Sequence, residues 1–127
     1  MSAGEELVVV DTREGVRTLR MNNPRKLNAW TMAMLETLRD EMQRAADDDE
    51  VGAIILTGTD PYYCAGVNLS SVITLDHPAT LHAFIFEKNQ ELFDLFIEYP
   101  KPIMVAVNGP AIGASVTSLL LCDGVIA

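Results

Sequence analysis

Two stretches of this sequence end an apolar strand in a turn of small residues, an arrangement that can expose backbone N–H groups to a ligand. The first stretch reads AIILTGTDPYYCAGVNL over residues 53–69. The second follows an apolar run at residues 103–107 and reads NGPAIGA over residues 108–114. Two such turns can direct two N–H donors at one oxygen atom. Donors that are fixed before reaction stabilise negative charge that develops on a carbonyl oxygen.

The candidate donors are the backbone N–H groups of Val67 and Ala114. Gly66 and Gly113 precede them, and glycine permits both unusual φ values and close approach of the backbone to a ligand. The spacing alone is also compatible with two ordinary tight turns. The pair of N–H groups is therefore a hypothesis that needs support from elsewhere in the chain.

Side chains offer weaker candidates. Enolate chemistry needs a carboxylate or imidazole within reach of the substrate's α-proton, but His77 and His82 flank or lie on a predicted surface helix. Cys64 has no histidine placed near it by a local motif, which favours packing over a nucleophilic role. Arg25 and Lys26 can contact a phosphate or lie in a solvated loop. Structural or solvated roles are favoured for the carboxylates Glu87, Glu91, Glu98 and Asp123.

Composition limits the class of protein. The chain has 127 residues, 49% hydrophobic and 21% charged, which is typical of one globular domain. A net charge of -9 disfavours a nucleic-acid binder but leaves an anionic small-molecule ligand possible. The two cysteines, Cys64 and Cys122, form no C-x-x-C motif and are expected to be reduced thiols.

We expect a soluble, intracellular protein. Residues 1–6 lack the basic and apolar regions of a secretory signal, and no apolar run approaches the ~20 residues of a membrane span. Peroxisome, mitochondrion and cytoplasm are not distinguished by these features. The apolar ending GVIA is unusual for a natural terminus, and we expect the chain to be part of a longer protein.

Hydrophobic periodicity predicts strands that alternate with helices. A hairpin is predicted from strands at 7–10 and 16–21, and the apolar runs at 53–56 and 103–107 are typical of strands covered on both faces. Helices are predicted from Asn28, as N-cap, to about Ala46, over 78–98, and as a buried helix over 113–121, with a further strand at 124–127. The acidic run at 47–50 is expected to end the first helix, with a metal site as the alternative. The fold class is α/β with right-handed crossovers.

The order of four motifs resembles the crotonase (enoyl-CoA hydratase/isomerase) superfamily. These motifs are NPRKLNA at 23–29, LTG at 56–58 leading into YCAGVNL at 63–69, PKP at 100–102 leading into AVNGPAIG at 106–113, and CD at 122–123. Each motif alone is weak, but together they cover essentially the whole chain. The resemblance implies that residues 1–127 are the N-terminal part of one crotonase-like domain, a spiral of β-β-α units that assembles into homotrimers or hexamers.

The resemblance also implies a ligand and its site. The ligand would be an acyl-CoA thioester, with its oxygen between the N–H groups of Val67 and Ala114. Residues 64–68 would line the acyl-thioester and adenine side of the pocket, and Lys26, Leu27 and Ala29 the pantetheine and phosphate end. The complete implied set of substrate-binding residues is Lys26, Leu27, Ala29, Cys64, Ala65, Gly66, Asn68, Leu69 and Gly113.

Two departures from the family pattern narrow the expected activity. Hydratases of the family carry a glutamate at the position of Thr117, and many members have aspartate at the position of Asn68. The run at 109–117 is most similar to peroxisomal-type Δ3,Δ2-enoyl-CoA isomerases, in which one carboxylate moves a proton from C2 to C4. We therefore expect an enoyl-CoA isomerase of fatty-acid β-oxidation that needs no metal or redox cofactor, with its catalytic carboxylate beyond Ala127. The alternatives are a catalytically inactive acyl-CoA-binding or interaction module and an enoyl-CoA hydratase.

Overall fold

The computed structural model describes residues 6–68, 70 and 76–127. Within these residues the chain forms one sheet, in the spatial order β1-β2-β3-β4-β5. The strands are β1 (Val8–Arg13), β2 (Val16–Met21), β3 (Ala53–Gly58), β4 (Ile103–Ala106) and β5 (Gly124–Ile126). β1 and β2 are antiparallel, and the pairs from β2 to β5 are parallel.

The predicted N-terminal hairpin is confirmed, but its first strand is longer than the sequence suggested. β1 continues to Arg13, which pairs with Val16. Only Glu14 and Gly15 form the turn, and both have positive φ, at 50° and 79°. Two central residues with positive φ match the twist of a tight hairpin, so the polar residues before them remain in the strand.

The helices are α1 (Met32–Asp47), α2 (Pro78–Ile97) and α3 (Ala114–Leu119), and a 3-10 turn spans Pro24–Lys26. The prediction that Asn28 caps α1 is wrong. Thr31 is the N-cap, because its backbone is extended and its hydroxyl accepts from the Met34 N–H at 3.1 Å. Asn28 is buried with a left-handed φ of 54°, and its side chain bonds elsewhere.

The apolar face of α1 packs on the sheet as its periodicity predicted. The buried residues of the helix are Met34, Leu38, Met42 and Ala45, and they join a core that includes Leu19, Leu56 and Val105. Those three core residues are paired across β2, β3 and β4. Burial of such side chains contributes about 1.5–3 kcal/mol each, so this row anchors the sheet to the helix.

The acidic run ends α1, as expected. Asp47 is its last residue and Asp48 its C-cap, and the Asp48 carboxylate accepts from the Arg17 guanidinium at 2.7 Å. The hydrogen bond from the Glu50 N–H, followed by that from Arg17, lowers the pKa of Asp48. Among the described residues no His, Cys, Asp and Glu side chains group as metal ligands, so the alternative metal site is not supported.

The segment after α2 is tied to the end of α1. The Tyr99 hydroxyl donates to the Met42 carbonyl at 2.8 Å, and the Lys101 ammonium donates to the carbonyls of Ala45 and Asp48, each at 2.8 Å. The Ala45 carbonyl is one of the last four of α1, which have no partner within the helix and favour such donors, whereas Met42 lies just before them. These contacts position β4, which begins immediately afterwards.

Two expectations about burial are corrected. β3 is not equally covered on both faces: Ile54 and Leu56 are buried, whereas Ile55 and Thr57 are only partly covered. α3 is not a buried apolar helix, because Ser115 and Ser118 lie inside while Val116 and Leu120 are exposed. No helix in the described part of the chain is long and apolar enough to cross a membrane.

Candidate active site

The first predicted turn lies beside the segment that precedes α1. The Ala65 N–H donates to the Leu27 carbonyl at 3.0 Å, and the Trp30 N–H donates to the Gly66 carbonyl at 2.8 Å. The Asn68 N–H in turn donates to the Trp30 carbonyl at 3.0 Å. Residues 27–30 and 65–68 thus form a short parallel pair at the carboxyl end of β3.

The second predicted turn lies on the other side of the first. The Cys64 N–H donates to the Pro110 carbonyl at 3.3 Å, and the Ile112 N–H donates to the Cys64 carbonyl at 3.0 Å. Cys64 and Ala111 form a parallel bridge. The two turns, about 45 residues apart in the sequence, are therefore in direct contact, because they follow the neighbouring parallel strands β3 and β4.

Both glycines before the candidate donors have a positive φ. Gly66 has a φ of 84°, and a Cβ there would lie 2.5 Å from the Ile112 carbonyl oxygen, so a side chain would force the turns apart. Gly113 has a φ of 65° but no atom within 4 Å of the Cβ position. At Gly113 the requirement is therefore conformational, since L-residues rarely adopt this φ.

The backbone N–H of Val67 faces away from its neighbouring strand. Trp30 bonds to Gly66 and Asn68, the residues on either side of Val67. The Gly66 carbonyl and the Val67 N–H belong to one planar trans peptide group and point in opposite directions. Because that carbonyl accepts from Trp30, the Val67 N–H points away from Trp30. This N–H donates to no acceptor among the described residues.

The backbone N–H of Ala114 is also an open donor, that is, it donates no hydrogen bond within the described part of the chain. Ala114 is the first residue of α3, and the first N–H groups of a helix have no partner within it. The N–H groups of Val116 and Thr117 both donate to the Gly113 carbonyl, but Ala114 has no acceptor in the described part of the chain. Two open donors thus lie on two segments that touch.

The structure gathers most of the implied substrate-binding residues around these segments. Ala29, Cys64 and Gly66 are buried, Ala65 and Asn68 are partly covered, and Gly113 is exposed. Leu27 is at the surface, and Lys26 is exposed with no hydrogen bond from its side chain to any described residue. The Asn68 Oδ1 accepts from the Ser70 hydroxyl at 2.6 Å. Leu69 lies outside the described residues.

The predicted packing role of Cys64 is confirmed. The residue is fully buried, its Sγ accepts from the Gly66 N–H at 3.3 Å, and burial raises its pKa to about 11. A thiol with this pKa is protonated at neutral pH, and only a thiolate is a strong nucleophile.

Imidazole and carboxylate groups have structural roles or lie elsewhere. His77 caps α2, with Nδ1 accepting from the Ala79 N–H at 3.2 Å, and His82 stacks on Phe86. Asp123 accepts from the Ile103 N–H at 2.8 Å, which confirms the predicted structural acceptor. No Asp, Glu or His side chain in the described ranges hydrogen-bonds to residues 64–68 or 111–114.

Sequence reasoning missed two asparagines that hold the loop leading to the first turn. The Asn28 carboxamide accepts from the Asn23 N–H at 2.9 Å and donates to the carbonyls of Thr59 and Tyr62, at 2.7 and 2.8 Å. The Asn108 Oδ1 accepts from the Gly58 N–H at 3.0 Å. For Asn28 the available signal was a polar side chain shortly before a buried aromatic, because a buried amide must find partners. For Asn108, which is exposed, the signal was its place directly after the predicted strand.

A family model and several known proteins match most of this chain. The enoyl-CoA hydratase/isomerase family matches residues 11–127. An uncharacterized protein of Caenorhabditis elegans, B0272.4, is 39% identical over 95% of this chain and 46% of its own length. Human enoyl-CoA delta isomerase 2 is 34% identical over 99% of this chain and 32% of its own length. The 2,3-dehydroadipyl-CoA hydratase of Escherichia coli is 32% identical over 94% of this chain and 46% of its own length.

A solved structure shows the same fold. The enoyl-CoA hydratase/isomerase from Xanthobacter autotrophicus Py2 superposes with a TM-score of 0.87 and 26% identity, over 96% of this chain and 46% of that one. The chain thus spans between about a third and half the length of these relatives. Its matched residues include both turns described above. The chain belongs to the enoyl-CoA hydratase/isomerase family and shares the crotonase fold over about half of that structure's chain.

Proposed function

We propose that this chain is the acyl-CoA-binding, N-terminal part of an enoyl-CoA isomerase. The observation that carries the proposal is the pair of open N–H donors, Val67 and Ala114, on two turns that touch. A thioester oxygen placed between them would accept two hydrogen bonds. Both donors belong to fixed backbone, so little reorganisation is needed when charge develops on the oxygen.

The proposed reaction moves a double bond without changing the number of atoms. A base removes a proton from C2 of a 3-enoyl-CoA, and the electrons of that C–H bond delocalise onto the thioester oxygen as an enolate. The same group then returns a proton to C4, which leaves the double bond between C2 and C3. The two N–H groups supply the electrophile in this scheme, so the proposal includes no metal or redox cofactor. Each oxyanion donor is worth about 10²–10³ in rate.

Thr117 favours isomerisation over hydration. Thr117 lies on the exposed side of α3, one turn after Ala114, and offers no carboxylate for water addition. We propose that the single proton-transferring carboxylate belongs to a segment that follows Ala127. The homotrimeric or hexameric assembly implied by the family resemblance is part of the same proposal.

The second candidate is an acyl-CoA-binding module without catalysis. The described residues bring no carboxylate or imidazole into hydrogen-bonding contact with either turn, and this observation favours binding over turnover for the chain by itself. Both candidates share the thioester grip, which is the binding of the thioester oxygen by the Val67 and Ala114 N–H groups. They differ in whether a carboxylate from another segment reaches the α-proton.

The thioester grip can be tested with Ala114→Pro. Proline lacks the N–H, yet it is well tolerated at the first position of a helix, so the variant removes the donor while α3 is retained. We expect the chain to bind hexanoyl-CoA more tightly than its S-hexyl thioether, which lacks the carbonyl oxygen. Loss of one hydrogen bond to that oxygen should reduce this preference about 2- to 10-fold in Ala114→Pro, measured by titration calorimetry.

Ala114→Ser is the matched control, because it changes the side chain and keeps the N–H. It should retain the preference of the parent chain for the thioester. A parent chain that binds both compounds equally would contradict the proposed grip.

A further inference from the structure

The hydroxyl of Ser115 connects the two turns that carry the open N–H groups. Ser115 is fully buried. Its Oγ lies 3.0 Å from the Ile112 N–H nitrogen, 2.9 Å from the Ile112 carbonyl oxygen and 3.2 Å from the Cys64 carbonyl oxygen. The hydroxyl therefore accepts from one turn and has its single proton available to either turn.

The neighbouring serine provides an internal comparison. Ser118 is equally buried, but its Oγ donates to the Ser115 carbonyl at 2.8 Å, within its own helix. A hydroxyl with a carbonyl of the preceding turn in reach is a common local arrangement in helices. Ser115 differs because one of its contacts reaches Cys64, on the other turn.

The position of Ser115 relates this contact to the donors. Ser115 directly follows Ala114, and Cys64 lies in the same turn as Val67, three residues before it. Gly66 is packed against the Ile112 carbonyl. The relative position of the two N–H groups is thus set by the contact between residues 64–67 and 112–115. Within this contact, the Ser115 Oγ hydrogen-bonds to both segments, through Cys64 and Ile112.

We infer that Ser115 is a positioning residue that fixes the separation of the Val67 and Ala114 N–H groups around a thioester oxygen. The inference rests on the proposed function. Removal of the hydroxyl leaves both backbone donors in place, and the Ile112 N–H keeps its other acceptor, the Cys64 carbonyl. The turns would remain in contact, but the two N–H groups would no longer be held at one separation.

Infrared difference spectroscopy measures how strongly the two N–H groups polarise the thioester carbonyl. In the parent chain, the carbonyl stretch of bound, isotope-labelled hexanoyl-CoA should shift to lower frequency than in solution, because hydrogen bonds polarise the C=O bond. Ser115→Ala should lose about half of this shift or more, as one of two donors moves out of line. Its affinity for S-hexyl-CoA, which has no carbonyl, should change by less than about 2-fold.

Two further variants separate positioning from general structural damage. Ser118→Ala removes a buried hydroxyl of the same size from the same helix and should retain the full shift. Ser115→Thr keeps a hydroxyl at this position and should show most of the carbonyl shift of the parent chain. If Ser115→Ala fails to fold, Ser115→Cys takes its place, because a thiol has nearly the same shape but is a weak hydrogen-bonding group.

The outcomes distinguish the inference from the proposed function. A parent chain with no carbonyl shift would overturn the thioester grip and the role of Ser115 with it. A shifted parent with an equal shift in Ser115→Ala, or in Ser115→Cys where that variant is used, would leave the grip intact and overturn the positioning role. A loss of shift in Ser118→Ala as large as that in Ser115→Ala would also overturn it.

Discussion

At the scale of single residues, this site is built from backbone groups and small side chains. The open donors are the N–H groups of Val67 and Ala114, and the residues around them are held by Asn28, Asn108 and Ser115. None of these three side chains is charged. The hydrogen bonds of Asn28 and Asn108 satisfy part-buried backbone groups, which are costly to leave unpaired.

Asn28 gives the clearest residue-scale prediction. Asn28→Asp keeps the shape and the acceptor for the Asn23 N–H but replaces the amide that donates to the carbonyls of Thr59 and Tyr62. Two donated bonds are lost and a buried carboxylate faces two carbonyl oxygens. We expect a loss of about 2–4 kcal/mol in the free energy of unfolding at neutral pH, measured by urea denaturation.

Asn89→Asp is the control for this change. Asn89 lies exposed on α2, so its substitution should alter the free energy of unfolding by less than about 0.5 kcal/mol. Equal urea midpoints for Asn28→Asp and the parent chain would show that the Asn28 amide does not hold the loop.

At the scale of elements, the site depends on the strands and helices that deliver the two turns. β3 and β4 are parallel neighbours, so the turns that follow them lie at one edge of the sheet. The hydrogen bonds from Tyr99 and Lys101 to carbonyls in the C-terminal part of α1 fix where β4 begins. On the same side of the molecule, the ion pair between Arg17 and Asp48 joins β2 to the end of α1.

The Arg17–Asp48 contact predicts a pH dependence of stability. The pKa of Asp48 in the folded chain is lowered from its ordinary value of 3.8, so the carboxylate binds its proton more weakly in the folded chain than in the unfolded one. Its contribution is therefore fully present well above pH 3.8 and is lost as the pH falls through the lowered folded pKa. Asp48→Asn should be less stable than the parent at neutral pH, and this difference should shrink below pH 3.8.

Urea denaturation at a series of pH values measures this difference. Asp49→Asn removes a neighbouring, exposed carboxylate that bonds to no described residue, and should not reproduce the effect. A destabilisation by Asp48→Asn that stays constant down to pH 2 would contradict the assigned role.

At the scale of the whole molecule, the sequence predicts local elements better than long-range contacts. The hairpin, the apolar face of α1 and the alternation of strands with helices follow from residue periodicity and turn chemistry. The sequence could signal that Asn28 needs partners but could not identify them, because Thr59 and Tyr62 are brought near Asn28 only by the parallel pairing of β2 and β3. Burial of α3 was misjudged because Ser115 and Ser118 are its buried residues, whereas Val116 is exposed.

The same division applies to the candidate site. Gly66 and Gly113 identify both turns in the sequence, since a position with a positive φ is usually occupied by glycine. The direct contact between the two turns, through Cys64 and Ile112, cannot be read from the sequence, because neither segment contains a feature that identifies the other as its partner. The order of the motifs in the sequence indicated the family, and the structure shows the hydrogen bonds that join the two turns.

The most direct test of the account is a crystal structure of the chain with bound hexanoyl-CoA. We predict that the thioester oxygen lies about 2.7–3.1 Å from both the Val67 and the Ala114 nitrogen atoms. The pantetheine should then follow residues 27–29 towards Lys26. A thioester oxygen that contacts neither N–H group, with the acyl-CoA bound elsewhere on the chain, would contradict the central claim.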